Sequence, residues 1–221
     1  MSAGLLFDLD GTLADTAPDL ADALNRLRQE HGREALPEST LRRWTSNGTR
    51  GMLHAGFDMA PGHPDYARLA SRYLALYATA PFVRTRLFPG LDLALDAIEA
   101  EGWRWGVVTN KPRDLAAPVM DGLGLTRRLC CLVGGTCAAA PKPSPAPLLL
   151  ACEQAALDPS QCVYVGDDRR DIEAGRAAGM RTVAAAWGYL GDDDDVPSWR
   201  ADAIVEHPGQ LVEALVALIE R

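Results

Sequence analysis

The chain has little of what marks a secreted, membrane-embedded or nucleic-acid-binding protein. Its five cysteines, Cys130, Cys131, Cys137, Cys152 and Cys162, are odd in number and include no Cys-x-x-Cys pair. In 221 residues, enough for a sizeable core, they make no disulfide scaffold and are expected as buried or partly buried thiols. No apolar run could span a bilayer, and no basic segment leads into one at the amino terminus, so a cytoplasmic location is expected. Positive charge is scarce. Twenty-two Lys and Arg face thirty Asp and Glu, and the formal net charge of -8 argues against a general nucleic-acid or anionic-membrane binder. A small anionic substrate is still allowed, because the local field matters more than the total. No repeat or low-complexity tract stands out beyond Asp192–Asp195, which reads as a solvated loop.

What is present is the composition of an ordinary globular chain, 48% hydrophobic and 24% charged. A short apolar run, Leu5 to Phe7, reads as a buried strand. Helical faces follow at Leu20, Ala23, Leu24 and Leu27, and at Leu69, Tyr73 and Leu76. Between them lie Gly48, Gly51, Gly56, Pro61, Gly62 and Pro64, which keep any helix there short. No convincing strand occurs between about 16 and 85. From residue 87 the pattern changes: Leu87–Gly90 reads as a hinge, and strands are expected at 103–109, 129–133, 162–166, 182–185 and 203–205. Helices are expected at 91–101, after Pro112, and at about 144–156, 169–179 and 209–220. This alternation predicts an α/β fold, a Rossmann-like, mostly parallel sheet with helices on both faces. Residues 1–15 and 86–221 would form the core, and residues 16–85 an inserted helical cap domain.

The most informative residues stand where strands end. Asp8 and Asp10, two apart on an extended segment, point the same way, and Gly11 lets the chain turn sharply beside a ligand. Two like charges this close need a cation or a proton to compensate them. Further strand exits carry Thr109 and Asn110, then Lys142 in a Pro-rich connection, and then Gly166-Asp167-Asp168-Arg169-Arg170-Asp171. The carboxyl ends of parallel strands are where open α/β sheets bind ligands. Carboxylate, hydroxyl and ammonium groups gathered there supply a nucleophile, a phosphate clamp and a metal anchor for in-line phosphoryl transfer.

Asp8-x-Asp10-Gly-Thr-x-x-Asp15, Thr109-Asn110, Lys142-Pro143 and Gly166-Asp167-Asp168-x-x-Asp171 resemble the four motifs of the haloacid dehalogenase-like superfamily, in order and from end to end of the chain. The resemblance implies catalytic roles for Asp8, Asp10, Thr109 and Lys142. Asp8 would be the nucleophile that forms an aspartyl-phosphate, and Asp10 the acid and base. It also implies Mg²⁺ held by Asp8, Asp167 and the Asp10 backbone carbonyl. Asp168 or Asp171 would support that ion from behind, with their order left open. Thr109, Asn110 and Lys142 would bind substrate phosphate. In the cap loop Trp44–Arg50, Arg50 is a candidate for a substrate carboxylate. Thr12 and Asp15 read as turn and support groups, and His54 and His63 as surface or support residues.

Below the superfamily, the chain resembles phosphoglycolate phosphatases, and in appearance most of all the bacterial N-acetylmuramic acid 6-phosphate phosphatases. The stretches that carry this are 104–112, 147–152, 165–175, 187–189 and 199–208. The expected activity is phosphomonoester hydrolysis of a small phosphorylated sugar or hydroxy acid. N-acetylmuramic acid 6-phosphate is the preferred substrate, with phosphoglycolate as the alternative. A phosphosugar mutase shares the first half-reaction, and a binding-only protein would not need the full set of catalytic groups. Metal-free dehalogenation has no use for Asp10, and a receiver module does not suit the large insert after it. The expected partner is a small phosphorylated molecule, with no nucleic acid and no membrane, in a monomer or homodimer.

Overall fold

The computed structural model describes residues 4–191 and 194–219. Asp192 and Asp193 of the acidic run lie outside the described residues, while Asp194 and Asp195 are exposed. The strands are β1 (Gly4–Phe7), β2 (Ala14–Asp15), β3 (Arg86–Leu87), β4 (Arg104–Val108), β5 (Leu132–Val133), β6 (Cys162–Gly166), β7 (Arg181–Ala185) and β8 (Ala203–Val205). The helices are α1 (Ala17–Glu30), α2 (Glu38–Arg42), α3 (Gly48–Phe57), α4 (Tyr66–Ala78), α5 (Leu91–Ala100), α6 (Arg113–Gly122), α7 (Ala146–Ala155), α8 (Arg169–Ala177) and α9 (Leu211–Ile219).

Six strands form one sheet in the order β5-β4-β1-β6-β7-β8, and every pairing is parallel. All four residues of β1 are buried, as an apolar strand covered on both faces must be. Strand alternation sends Leu5 and Phe7 to the face covered by α5, α6 and α9, alongside Trp105, Val107, Val163 and Val165. Leu6 faces the other way with Val108 and Tyr164, under Leu148 and Ala151 of α7 and Ala174 of α8. Each such fully buried Leu or Val contributes about 1.5–3 kcal/mol of transfer free energy.

Register decides which side chains leave the sheet together. Phe7 stands opposite Val107 on one side and Val165 on the other. Asp8, Thr109 and Asp167 therefore emerge at one edge, and the Asp8 amide still donates to the Val165 carbonyl at 2.9 Å. The chain order reverses around β1, and that reversal opens the crevice in which such folds bind ligands.

Helices α1–α4 form a cap-like insertion with its own cluster of Leu20, Leu24, Leu27, Leu41, Leu53, Tyr73 and Tyr77. Leu115 of α6 belongs to that cluster too, so the core lends the cap an apolar side chain. The two ends of the insertion are tied together. Strands β2 and β3 pair antiparallel, Ala14 with Leu87 and Asp15 with Arg86, where the sequence pattern suggested only a hinge. Two-residue strands carry no periodicity by which to find them. Just inside this ribbon, the buried Asp19 carboxylate accepts from the amides of Val83 (2.9 Å), Arg84 (2.9 Å) and Thr85 (3.0 Å) and from the Thr85 hydroxyl (2.7 Å). The strand expected at 129–133 is shorter than its apolar run: β5 holds only Leu132 and Val133, with the Cys130 amide already bonded to the Trp105 carbonyl. All five cysteines are free thiols.

Candidate active site

Each strand exit presents its polar group to one cavity of about 200 Å³ between the sheet edge and the cap. Asp8, Asp10, Thr109, Asn110, Lys142, Asp168 and Asp171 all line it. Asp167 sits immediately beside them, with Asp8 and Asp171, in a cluster whose carboxylate oxygens lie within 4.8 Å of one another. Arg50 is the member of the expected set left outside. It is exposed on α3, near Tyr66, and the cap wall of the cavity is made instead by residues 45–49, in the loop before α3 and its first turn, with Leu20, Tyr73, Leu74 and Tyr77.

Lys142 is the positive centre. Its ammonium lies 2.9 Å from Asp8 Oδ1 and 2.7 Å from Asp171 Oδ1, and it donates to Tyr164 Oη at 2.7 Å. Tyr164 in turn donates to the Val108 carbonyl at 2.7 Å, so a side chain from the neighbouring strand fixes the lysine's head. Burial alone would lower the Lys142 pKa, but Asp171 and Asp8 outweigh it and keep the group charged. Asn110 holds the loop that delivers this lysine: its Oδ1 accepts from the Lys142 amide at 2.9 Å, and its Nδ2 donates to the Lys142 carbonyl at 3.1 Å. Thr109 Oγ1 accepts from the Lys111 amide at 3.1 Å, which leaves the hydroxyl proton for a ligand.

The two carboxylates left unranked by sequence separate cleanly. Asp168 is the N-cap of α8. Its Oδ1 accepts from the Arg170 amide at 2.8 Å, and Asp171 Oδ2 accepts from the Asp168 amide at 3.1 Å. The Asp168 side chain is spent on this cap and on Arg170, whose guanidinium reaches it through Nε at 2.9 Å and Nη2 at 2.7 Å. Asp171 keeps Oδ1 in the central cluster and is the closer of the two to Asp8 and Asp167.

Asp167 is held in a tight cradle. Thr12 Oγ1 donates to Oδ1 at 2.9 Å, and Ser46 Oγ and the Tyr189 amide donate to Oδ2 at 2.8 and 2.9 Å. Gly11 has φ +90°, and a Cβ there would meet Asp167 Oδ2 at 2.2 Å, so the turn has room only for glycine. Among the described residues no ion pair reaches Asp167. Burial, with Asp8 and Asp171 adding like charge, pushes its pKa up to about 8. Three carboxylates and one ammonium leave negative charge unmet, and an all-oxygen donor set of this kind fits a hard divalent cation of the Mg²⁺ type.

Two features of the site went unassigned in the sequence. Lys111 is buried, its Nζ 2.8 Å from Asp10 Oδ1 and 4.4 Å from the ring centre of Tyr77 on α4. Asp10 Oδ1 also accepts from Thr16 Oγ1 at 2.6 Å, while among the described residues Oδ2 accepts no protein hydrogen bond. The position of Lys111, two residues beyond Thr109 at the same strand exit, was the available signal. Arg170 is the second: besides gripping Asp168, its Nη2 donates to the Ser46 carbonyl at 2.7 Å and so ties the cap loop to the core. Thr12 and Asp15, expected as turn and support groups, both reach across to other elements, Thr12 to Asp167 as described. Asp15 accepts from Tyr189 Oη and from Arg42 of the cap, each at 2.8 Å.

A parallel α/β sheet with an acidic, lysine-centred crevice closed by a helical insertion is the architecture of an aspartate-based phosphoryl-transfer enzyme. Residues 5–185 match the family model described as haloacid dehalogenase-like hydrolase, and the chain belongs to that family. It is 45% identical over 212 residues to a phosphoglycolate phosphatase of Xanthomonas campestris, covering 95% of this chain and 94% of that one. It is 42% identical over 211 residues to an N-acetylmuramic acid 6-phosphate phosphatase of Pseudomonas aeruginosa, covering 96% and 93%. The crystal structure of a predicted phosphoglycolate phosphatase from Haemophilus somnus superposes with a TM-score of 0.83 at 26% identity, covering 96% of this chain and 97% of that one. Family and site together make this protein a phosphomonoesterase acting on a small phosphorylated substrate. Among the described residues no helix is long and apolar enough to cross a membrane.

Proposed function

We propose that the protein hydrolyses phosphoglycolate, using Mg²⁺ and an aspartyl-phosphate formed on Asp8. The observation that carries the choice of substrate is the cavity. At about 200 Å³ it lies below the roughly 300–1,000 Å³ usual for small-molecule sites, and Lys111, Lys142 and Arg170 line it. A compact two-carbon ester matches its size. This reading replaces the sequence preference for N-acetylmuramic acid 6-phosphate. That ester remains the second reading, favoured by the 42% identity to the Pseudomonas aeruginosa enzyme.

In the proposed reaction an Asp8 carboxylate oxygen attacks phosphorus. Lys142, 2.9 Å from Asp8 Oδ1, offsets the charge gathering there, and Thr109 with nearby backbone amides steadies a phosphoryl oxygen. Asp10 gives its proton to the departing alkoxide through Oδ2, the oxygen that Thr16 and Lys111 leave open, and later removes one from water. Asp8, Asp167 and the Asp10 backbone carbonyl would hold Mg²⁺, with Asp171 supporting it from behind. When bound, the ion supplies Lewis-acid neutralisation of the phosphoryl oxygens. Residues 16–85, acting as the cap, exclude water from the closed cavity.

The test is side-by-side kinetics on phosphoglycolate, N-acetylmuramic acid 6-phosphate and glucose 6-phosphate. Phosphoglycolate is expected to lead in kcat/KM by at least tenfold. A lead for N-acetylmuramic acid 6-phosphate establishes the second reading in its place.

A further inference from the structure

We propose that the hydroxyl of Thr45 is a substrate-recognition group that donates a hydrogen bond to the carboxylate of the departing hydroxy acid. The proposal deepens the function given above and rests on it for the identity of that carboxylate. Among the described residues two buried side-chain polar atoms take no hydrogen bond, Asp8 Oδ1, which is held only in the ion pair with Lys142, and Thr45 Oγ1, and both residues line the same cavity. The first is on the attacking side chain. The second is on the cap and has no part in the chemistry at phosphorus.

Thr45 is 2% exposed, and its backbone is fully engaged, the amide donating to the Arg42 carbonyl at 3.1 Å and the carbonyl accepting from the Gly48 amide at 2.8 Å. Only the hydroxyl is unspent. Its place is set by the next residue: Ser46 is bonded to Asp167 through Oγ and to Arg170 through its carbonyl, so the loop is pinned to the core on both sides. A buried hydroxyl without a partner is unfavourable, and valine would fill the same space without that cost. A group of this kind is retained when a ligand completes it. The same cavity holds the buried ammonium of Lys111. A hydroxyl donor in one cavity with the ammonium of Lys111, itself paired with Asp10, suits an anionic leaving group rather than a neutral one.

Thr45→Val and Thr45→Ser are compared with the wild type on phosphoglycolate and on ethyl phosphate, which has a methyl group where phosphoglycolate has its carboxylate. For Thr45→Val the ratio of kcat/KM between the two esters is expected to fall roughly tenfold, mostly through KM, with no loss in Tm. Thr45→Ser keeps the ratio. A ratio within twofold of wild type overturns the proposal, as does a lowered Tm with an unchanged ratio, the mark of a structural hydroxyl. Should the valine variant not fold, Thr45→Ala is read by the same ratio. If the wild type itself does not prefer phosphoglycolate to ethyl phosphate, it is the substrate reading that has failed. The ratio of N-acetylmuramic acid 6-phosphate to ethyl phosphate then decides Thr45, a tenfold fall supporting it and an unchanged value overturning it.

Discussion

Asp19→Asn is the sharpest test of how the cap is fastened to the core. The carboxylate receives three backbone amides and one hydroxyl from residues 83–85, the stretch by which the chain re-enters the core. Burial alone would push this carboxyl up, yet the bonds from Val83, Thr85 and Arg84 outweigh it and hold its pKa below the ordinary value. Asparagine keeps the shape but offers one acceptor oxygen and turns an NH₂ toward donors. A bond to a charged group contributes about 1.5–3 kcal/mol, and a stranded buried donor costs about 1–3 kcal/mol. With two of the four donors stranded and the outer amides partly rehydrated, the loss should be about 3–5 kcal/mol. For a chain of this length each kcal/mol moves Tm by about 2–4 °C, so a drop of roughly 6–20 °C is expected in a calorimetric or circular-dichroism melt. The sign with pH follows from the lowered folded-state value. The carboxylate's contribution is complete above the unfolded pKa near 4 and is lost as pH falls through the folded one. The gap between wild type and variant should therefore be flat from about pH 8 to 5 and close below about 4. A drop under about 2 °C, or a gap that widens in acid, refutes the reasoning.

Asp8→Asn should abolish turnover without unfolding the protein, Lys142 keeping its pair with Asp171; phosphate release comparable to wild type excludes Asp8 as nucleophile. Chelator-treated protein should lose activity and regain it with Mg²⁺, and Mg²⁺ at a hundred times its Kd should stabilise the fold by about 2.7 kcal/mol. A Tm indifferent to Mg²⁺ argues against an ion bound among Asp8, Asp167 and Asp171. Arg170→Gln frees the Ser46 carbonyl and should raise KM several-fold. The Arg170–Asp168 pair is partly exposed, and such pairs contribute about 0–1 kcal/mol, so Tm should change little. An unchanged KM would mean that the cap loop is positioned without Arg170.

The parts of the site that could be read in the sequence are those in which one strand carries one group. Asp8, Thr109 and Asp167 follow directly on β1, β4 and β6, so an apolar run ending in a polar residue was signal enough, and parallel pairing brought the groups to one edge. What escaped was whatever depends on where a side chain turns after leaving its strand. Asp168 and Asp171 are three apart at the start of α8, and only the capping geometry shows that one is spent on the helix end while the other faces the cluster. Lys111 lies at a strand exit like the others, but its role depends on Tyr77 arriving from a helix that sequence periodicity cannot orient. Arg50, the natural choice for binding a carboxylate, is turned outward because α3 begins at Gly48 and carries the cavity wall no further than Thr49.

The contact between Ser46 and Asp167 joins two things that the sequence keeps 121 residues apart, the closure of the cap and the charge balance of the acidic cluster. Asp167 Oδ2 accepts from a cap hydroxyl and from the Tyr189 amide of the core, so lifting the cap removes one of the groups that support this carboxylate. An open cap therefore leaves Asp167 with fewer donors while like charges from Asp8 and Asp171 still press on it. With the cap in place, Asp167 has the Ser46 hydroxyl as a donor and Thr45 is buried against the cavity. Two adjacent residues thus face different parts of the site, Ser46 the acidic cluster and Thr45 the cavity. Loss of the Thr45 hydroxyl should accordingly alter which ester is chosen and loss of the Ser46 hydroxyl how fast it is cleaved, whereas changes on the exposed face of α3, including Arg50, should alter neither.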